Sequence, residues 1–292
     1  MRIVVFGKNI NAETKPFIEN LHNELTQIGA EIFVFEELYS FIKQHCQFNF
    51  DFGSFASHQD LLTLKPDLMI TVGGDGTILD AVTYVQNSDI PILGINTGRL
   101  GFLSNVSKEE ISTAIEALTL GNYSIDERHL LHVNIDGVDM DLNFAFNEVS
   151  VSRKDTTSMV TIHTWINDAF LNSYWADGLI IATPTGSTGY SLSCGGPIIM
   201  PGSESFVITP IAPHNLNVRP FVIPNDMEIK LVVEGREEQF LVSLDSRIYT
   251  VKNGMEVRIK REAFKIKMLK TEIQSFTDTL RNKLLWGIDK RN

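Results

Sequence analysis

Cysteine is almost missing from these 292 residues. Cys46 and Cys194 are the two present, far apart and outside any paired-cysteine spacing. That excludes a disulfide framework and leaves a structural zinc site without ligands. His45 beside Cys46 offers two adjacent donors, fewer than a metal needs, and reads as a loop pair. Positive charge is also scarce: 25 Lys and Arg stand against 36 Asp and Glu, a net charge of −11. A chain of that sign is not drawn to nucleic acid phosphates or anionic lipid, so neither is an expected partner, and any anionic ligand must be held by local devices. No apolar run approaches the roughly 18–20 residues of a membrane span. Met1 to Phe6 lacks the charged start and small-residue cleavage site of a signal peptide and reads as a strand, so the expected compartment is the cytoplasm. With 43% hydrophobic and 21% charged residues, wholesale disorder and collagen-like repeats are excluded as well. The length suggests two compact domains.

The order of patterns along the chain divides it. Ile3 to Phe6 is a short unbroken apolar run ended by Gly7, the look of a strand buried on both faces. Phe17, Ile18, Leu21, Leu25 and Ile28 then recur at helical spacing, with Gly29 where a C-terminal cap belongs. Ile32–Phe35, Leu68–Val72 and Ile90–Ile95 supply further strands. Ser107 to Glu110 is a capping box opening a helix that reaches about Leu120. Residues 47–60 read as a long loop. Strand and helix alternate, so residues 1–121 are expected to form an α/β domain with a parallel sheet.

After Gly121 the period changes to two. Leu131, Val133 and Ile135 alternate up to Asp136-Gly137, and Met140, Leu142, Phe144 and Phe146 alternate after it, a hairpin pattern. Short strands follow at 159–166, 179–182, 206–211, 228–233 and 240–244. Another pair, 248–251 and 255–259, flanks the hairpin turn Asn253-Gly254. Residues 122–270 are therefore expected to be a β-rich, antiparallel, sandwich-like domain. Ile273, Phe276, Leu280, Leu284 and Leu285 trace one face of a last helix, expected to return with 271–292 to the first domain.

The sharpest local signal is Gly73-Gly74-Asp75-Gly76-Thr77, between a buried strand and a helix expected near Ile78. In an α/β sheet this is the ligand-binding edge, and the glycines let backbone N–H groups approach a phosphate. Yet the run is neither GxGxxG nor GxxxxGK[ST]. Asp75 would repel phosphate unless it accepts a proton from an attacking hydroxyl or holds a metal ion; the alternative is a helix cap. A second signal runs from Asp177 through Thr183-Pro184-Thr185-Gly186-Ser187-Thr188-Gly189-Tyr190-Ser191-Leu192-Ser193-Cys194-Gly195-Gly196-Pro197, with no charge for twenty residues after Asp177. Its hydroxyls suit ribose and phosphate and Tyr190 offers a stacking ring. The competing reading, a Ser/Gly linker, conflicts with the apolar anchors Leu192, Ile198 and Ile199. Asn147-Glu148 interrupts an alternating strand and reads equally as a solvated turn. Arg99, in Thr97 to Phe102, suits phosphate or an acidic neighbour.

Taken together, these residues resemble the NAD kinase family. Gly73 to Thr77 matches its GGDGT element, Asn147-Glu148 its NE pair, Thr183 to Pro197 its TPTGSTAYxxSxGGP element, and Gly94 to Leu103 its GxNxGxLGFL. GGDGT is shared with lipid kinases; the long threonine/serine/glycine element is highly specific. The resemblance implies an ATP-dependent transfer of the γ-phosphoryl group to the 2′-hydroxyl of the adenosine ribose of NAD, in a crevice between an α/β and a β-rich domain. It implies Asp75 as general base, with Gly73, Gly74, Gly76 and Thr77 at the ATP phosphates. Asp75, Gly76, Asn147, Glu148, Asp177, Thr185, Thr188, Gly189, Tyr190, Ser191, Leu192, Ser193 and Asp245 would surround NAD. It further implies a divalent cation such as Mg²⁺, carried with ATP rather than by protein ligands, and a homodimer or homotetramer. Departures are Gly189 for the commoner alanine, Cys194 at another small-residue position, Asp80 where a basic residue is frequent, and Arg247 for glutamine in a DSQ-like element. Ser158 and Trp175 also stand where some relatives carry basic or histidine contacts. The same motifs leave a lipid kinase and a silent dinucleotide sensor as rivals.

Overall fold

A computed structural model of the chain describes residues 1–8, 11–46, 52–98, 101–104, 106–154, 158–271 and 275–286. It divides into two compact units, Met1–Glu127 with Ile266–Asn292, and Arg128–Lys265.

In the first unit, the strands Gly53–Phe55, Glu31–Phe35, Arg2–Phe6, Leu68–Val72 and Ile92–Asn96 lie side by side and parallel, in that order. Every residue of Leu68–Val72 and Ile92–Asn96 is buried, which is why these strands read as mostly apolar runs without alternation. Helix Lys15–Gln27 packs Phe17, Ile18, Leu21 and Leu25 into the same core as helix Ile111–Leu120, with Ile111, Ala114, Ile115 and Leu118. Gly29 (φ +67) and Gly121 (φ +73) end these helices in the left-handed conformation that glycine tolerates. Ser107 and Glu110 form the expected capping box. Strand Glu256–Thr271 ends in this unit: Met268 pairs in parallel with Ile92, Lys267 contacts Asp89 at 2.9 Å and Lys270 contacts Asp126 at 2.5 Å.

Three readings of this half change. Residues 47–51 lie outside the described residues, but the rest of the expected 47–60 loop carries the strand Gly53–Phe55 and helix His58–Leu64, which Ser57 and Asp60 cap reciprocally. A Ser-x-x-Asp signature was thus present. Helix Glu36–His45 follows its strand directly, with Phe35 as N-cap and no side-chain cap to announce it. The helix after the glycine turn starts at Asp75, three residues before Ile78.

The second unit is a sandwich of antiparallel strands. One sheet runs Phe221–Pro224, Ser205–Ile211, Gly178–Ala182, Glu148–Arg153, Gln239–Leu244, Arg247–Lys252. The other runs Ala169–Ala176, Val160–Ile166, Ile229–Glu234 and the first part of Glu256–Thr271, which Tyr123–Ile135 also joins. Val149, Val151, Leu179, Ile181, Val242 and Leu244 from the first meet Ile162, Leu231, Val233, Val257 and Ile259 from the second in one core. The alternation of apolar residues is the imprint of this one-sided burial.

The turns differ from expectation. After Asp136-Gly137 the return strand is only Phe144–Ala145, pairing His132 and Leu131. Asn253-Gly254 makes no hairpin. Asn253 N–H donates to Glu238 O beside one sheet and Gly254 N–H to Val233 O in the other, so this turn carries the chain between layers. The hairpin turn is Asp245-Ser246, joining Leu244 to Arg247 with Asp245 at φ +53. Strand Ala169–Ala176 was unforeseen; Asn167 (φ +47) and Asp168 (φ +63) make the tight turn that leads into it.

Candidate functional site

Two clusters of polar groups stand out, one in each unit. In the first unit, strand Leu68–Val72 runs out into Gly73, whose φ of +151 is a conformation that L side chains rarely adopt; a Cβ there would also sit 2.1 Å from Thr77 Oγ1. The helix that follows opens on Asp75 with Gly74 as its cap. A helix start carries unbonded N–H groups and partial positive charge.

Asp75 does not turn back to cap its own helix. Its Oδ2 accepts from Phe102 N–H at 2.8 Å; its Oδ1 accepts from Leu103 N–H (3.1 Å), Ser104 N–H (3.2 Å) and Ser104 Oγ (3.2 Å). Ser104 is fully buried and accepts from the amide of Asn96, itself buried at a strand end, whose Oδ1 takes Gly98 N–H. The loop comes this close because residue 101 is glycine: a Cβ there would lie 1.7 Å from Asp75 Oδ1. Helix Phe276–Leu284 backs this loop, with Phe276 6.5 Å from Phe102 and Lys283 4.9 Å above the Phe102 ring. Among the described residues Oδ1 takes three donors and Oδ2 one, so Oδ2 is the oxygen with a lone pair to spare. Around Gly74 and Gly76 a Cβ would meet none of the described residues outside their immediate chain neighbours and the helix's own backbone within 4 Å, so tertiary packing among the described residues does not explain these two glycines. Asp80, where a basic residue was the pattern, is 3.7 Å from Lys8, whose ammonium also faces the rings of Phe6, Phe35 and Tyr84. Arg99 lies outside the described residues.

In the second unit, Glu148 begins strand Glu148–Arg153 and Asn147 immediately precedes it. Asn147 Oδ1 and Glu148 Oε2 are buried without a hydrogen-bond partner among the described residues, and burying such atoms unpaired is unfavourable. Burial, and then the charge of Asp245, push the Glu148 carboxyl from 4.5 up to about 7. The hydroxyl segment packs against this pair. Gly186 sits where a Cβ would be 2.1 Å from Asn147 O, and a Cβ at Gly189 would be 3.3 Å from Glu148 Oε2. Gly189 therefore leaves the flank of Glu148 one methyl more open than the commoner alanine does.

Many hydroxyls of the segment turn inward. Thr183 Oγ1 donates to Phe146 O, Ser187 Oγ to Pro184 O, Thr188 Oγ1 to Thr185 O, and Ser191 Oγ pairs with Thr209 at 2.8 Å. Thr185 Oγ1 accepts from the buried Arg128 at 3.1 Å. These bonds shape the turn. Exposed on its outside are Tyr190, 47% accessible, and Ser193, with Thr188, Gly189 and Leu192 half-buried. Burial and the charges of Asp177 and Glu148 raise the Tyr190 phenol, and burial with Glu148 raises the Cys194 thiol. Asp177 is held by Arg153 at 3.1 Å. Asp245 faces the backbone of Phe146, Asn147 and Glu148, whose three N–H groups it accepts. The sequence reading placed Asn96 and Gly101 within the Gly94 to Leu103 motif but gave them no role beside Asp75, and it did not name Ser104, which bonds Asp75, or Arg128, which bonds Thr185. Asn96 and Ser104 had a signal, being polar residues within or beside buried apolar runs.

An α/β unit with a carboxylate at the glycine turn of its strand ends, and a β-sandwich unit with a buried, unsatisfied Asn-Glu pair beside a glycine-rich turn, define a two-unit phosphotransferase. Models of the ATP-NAD kinase N-terminal and C-terminal domains match residues 4–123 and 146–271. The chain is 53% identical to the NAD kinase of Flavobacterium psychrophilum and 50% identical to that of Flavobacterium johnsoniae, over the full length of each pair. Among solved structures, yeast NADH kinase complexed with NADH shares the fold with a TM-score of 0.88 at 22% identity, covering 98% of this chain and 88% of that one. An NAD kinase from Archaeoglobus fulgidus in complex with ATP matches with a TM-score of 0.74 at 26% identity, covering 93% and 94%. This chain belongs to the NAD kinase family. Among the described residues, no helix is long and apolar enough to cross a membrane.

The raised Glu148 gives a pH prediction. A carboxyl that holds its proton more tightly folded than unfolded stabilises the fold fully below its unfolded pKa, and that contribution fades as pH rises through the folded value. Between pH 4.5 and about 7 the wild type is expected to lose on the order of 1–3 kcal/mol that the Glu148→Gln variant does not lose. Urea unfolding of both proteins across that range checks it; parallel curves would remove Glu148 as the cause.

Proposed function

We propose that the protein transfers the γ-phosphoryl group of ATP to the 2′-hydroxyl of the adenosine ribose of NAD, giving NADP and ADP. The observation that carries this reading is the Asp75 carboxylate, fixed by four donors yet keeping acceptor capacity on Oδ2. A general base needs that combination, because proton transfer depends on a defined position and an open lone pair. Support also comes from the NADH bound in the yeast relative and the ATP bound in the archaeal one.

In this reading Oδ2 of Asp75 takes the 2′-hydroxyl proton as the ribose oxygen attacks the γ-phosphorus. Gly73, Gly74, Gly76 and Thr77 present the start of the helix to the phosphates; Gly74 and Gly76 allow contact without a side chain intervening. Asn147 and Glu148 give their unsatisfied oxygens to ribose hydroxyls of NAD, and Tyr190 stacks on a base. Asp177, Thr188, Gly189, Leu192 and Ser193 line the same pocket, while the inward hydroxyls of Thr185 and Ser191 keep its wall rigid. The divalent cation of this proposal is held mainly by substrate phosphates. Mg²⁺ carried with ATP would offset charge on the transferring phosphoryl group. A cytoplasmic homodimer or homotetramer completes the proposal.

Incubation with Mg-ATP and NAD, followed by an NADP-specific dehydrogenase, tests the reading. NADP is expected to accumulate, and to stop accumulating when EDTA removes the divalent metal. Phosphorylation of diacylglycerol instead of NAD, or NAD binding without turnover, would overturn it; full activity in EDTA would overturn the metal proposal.

A further inference from the structure

The short turn Asp245-Ser246 places two charged side chains against the approach to Asn147-Glu148. Asp245 is 7% exposed. Its Oδ2 accepts from Phe146 N–H at 2.8 Å, and its Oδ1 from Asn147 N–H at 2.8 Å and Glu148 N–H at 3.1 Å; its own N–H returns to Glu148 O at 3.0 Å. Arg247 works from the other side of the same segment. Its guanidinium donates to Leu142 O at 2.8 Å and to Phe144 O, lies 5.2 Å from the Phe144 ring centre, and sits 3.8 Å from Asp245 Oδ2. The anion thus binds three N–H groups and the cation two carbonyls of one seven-residue stretch. Arginine's planar fork suits two carbonyls at once, which the glutamine more usual in the motif cannot do with the same charge and reach. Main-chain N–H groups reach both Asp245 oxygens, two on Oδ1 and one on Oδ2, where the Arg247 guanidinium also lies. Asn147 Oδ1 and Glu148 Oε2 are the buried oxygens of this segment with no hydrogen-bond partner among the described residues.

We propose that Asp245 and Arg247 are positioning residues for the dinucleotide: together they clamp 142–148 so that Asn147 and Glu148 present their free oxygens to NAD. The proposal rests on the NAD kinase reading for the identity of the ligand, but the clamp itself can be measured without ligand. Releasing it should leave the Asp75 unit untouched and act on NAD alone. The turn's strained backbone is consistent with this, since a non-glycine residue at φ +53 persists where its surroundings hold it.

The test uses the full chain and the variants Asp245→Asn, Arg247→Met and Arg247→Lys. Asp245→Asn and Arg247→Met are expected to raise KM for NAD about tenfold, the usual scale for a misplaced binding group, with KM for ATP unchanged. Arg247→Lys, which keeps the charge and one carbonyl bond, should recover part of the loss. A residue with only a structural role would lower the melting temperature and the active fraction while leaving KM for NAD as in the wild type, and that result overturns the proposal. Amide hydrogen exchange at Phe146, Asn147 and Glu148 provides the second readout. Faster exchange in Asp245→Asn than in the wild type supports the clamp even if the wild type were to form no NADP, a result that would sink only the activity reading. Unchanged exchange overturns the clamp whatever the activity. If Asp245→Asn fails to fold, Arg247→Met carries the same comparison.

Discussion

Asp75→Asn is expected to fold, to bind NAD as the wild type does, and to lose about 10²–10⁴-fold in kcat for NADP formation, the usual worth of a general base. The geometry explains why the fold survives. The amide oxygen can replace Oδ1 and keep Leu103 N–H, Ser104 N–H and Ser104 Oγ, so three of the four bonds persist. The amide nitrogen then faces Phe102 N–H, a donor against a donor, at a penalty of about 1–3 kcal/mol. Thermal melting should show that modest loss, and a coupled dehydrogenase assay the large one. Turnover near the wild-type level would take Asp75 out of the chemistry.

Gly101→Ala should do comparable damage with Asp75 still in the chain. The new methyl would stand 1.7 Å from Asp75 Oδ1, 2.5 Å from its Cγ and 2.7 Å from Ser104 Oγ. A long flexible side chain could swing away; an aspartate has one carbon between backbone and carboxylate, and four donors hold it. Either the carboxylate leaves its cradle or the 101–104 loop retreats, and both move Oδ2 from where the acceptor hydroxyl must be. A displacement of about 1 Å at a reacting group can lower the rate on the order of 10²-fold. KM for NAD should change far less than kcat, because Asn147, Glu148 and Tyr190 are untouched. A variant with wild-type kcat would show that the cradle does not set the position of the base.

Much of the scaffold was legible because burial on both faces leaves unbroken apolar runs, as in Leu68–Val72, and burial on one face leaves alternation, as in Gln239–Leu244. Helix Glu36–His45 escaped because the chain passes from strand to helix at Phe35 with neither a glycine nor a capping side chain between. Strand Ala169–Ala176 escaped because only Tyr174 and Ala176 of its eight residues are buried, so its pattern is faint. At the site, the motif exposed Asp75 but not its cradle. Three of the four donors are backbone N–H groups 27 to 29 residues away, and a backbone N–H leaves no trace in residue type. The same holds for Asp245, whose partners lie 97 to 99 residues away. The hydroxyls of 183–191 were legible as a cluster; their direction was not, since Thr and Ser serve a ligand and a turn with the same atoms.

The α/β unit is assembled from two separated stretches, Met1–Glu127 and Ile266–Asn292. As the chain leaves the ribosome, strand Ile92–Asn96 appears early, but its neighbour Met268 and the cations Lys267 and Lys270 arrive only after residues 128–265. At about 5–20 residues per second, those intervening residues take roughly 7–28 s to make. For that interval Val106–Ser107 pairs only Ile95 and Asn96, and the Ile92 end of the strand is left as an open sheet edge, a template for mispairing. The sandwich unit, continuous in sequence, can close before the α/β unit has its last stretch, so the unit begun first is the one completed last.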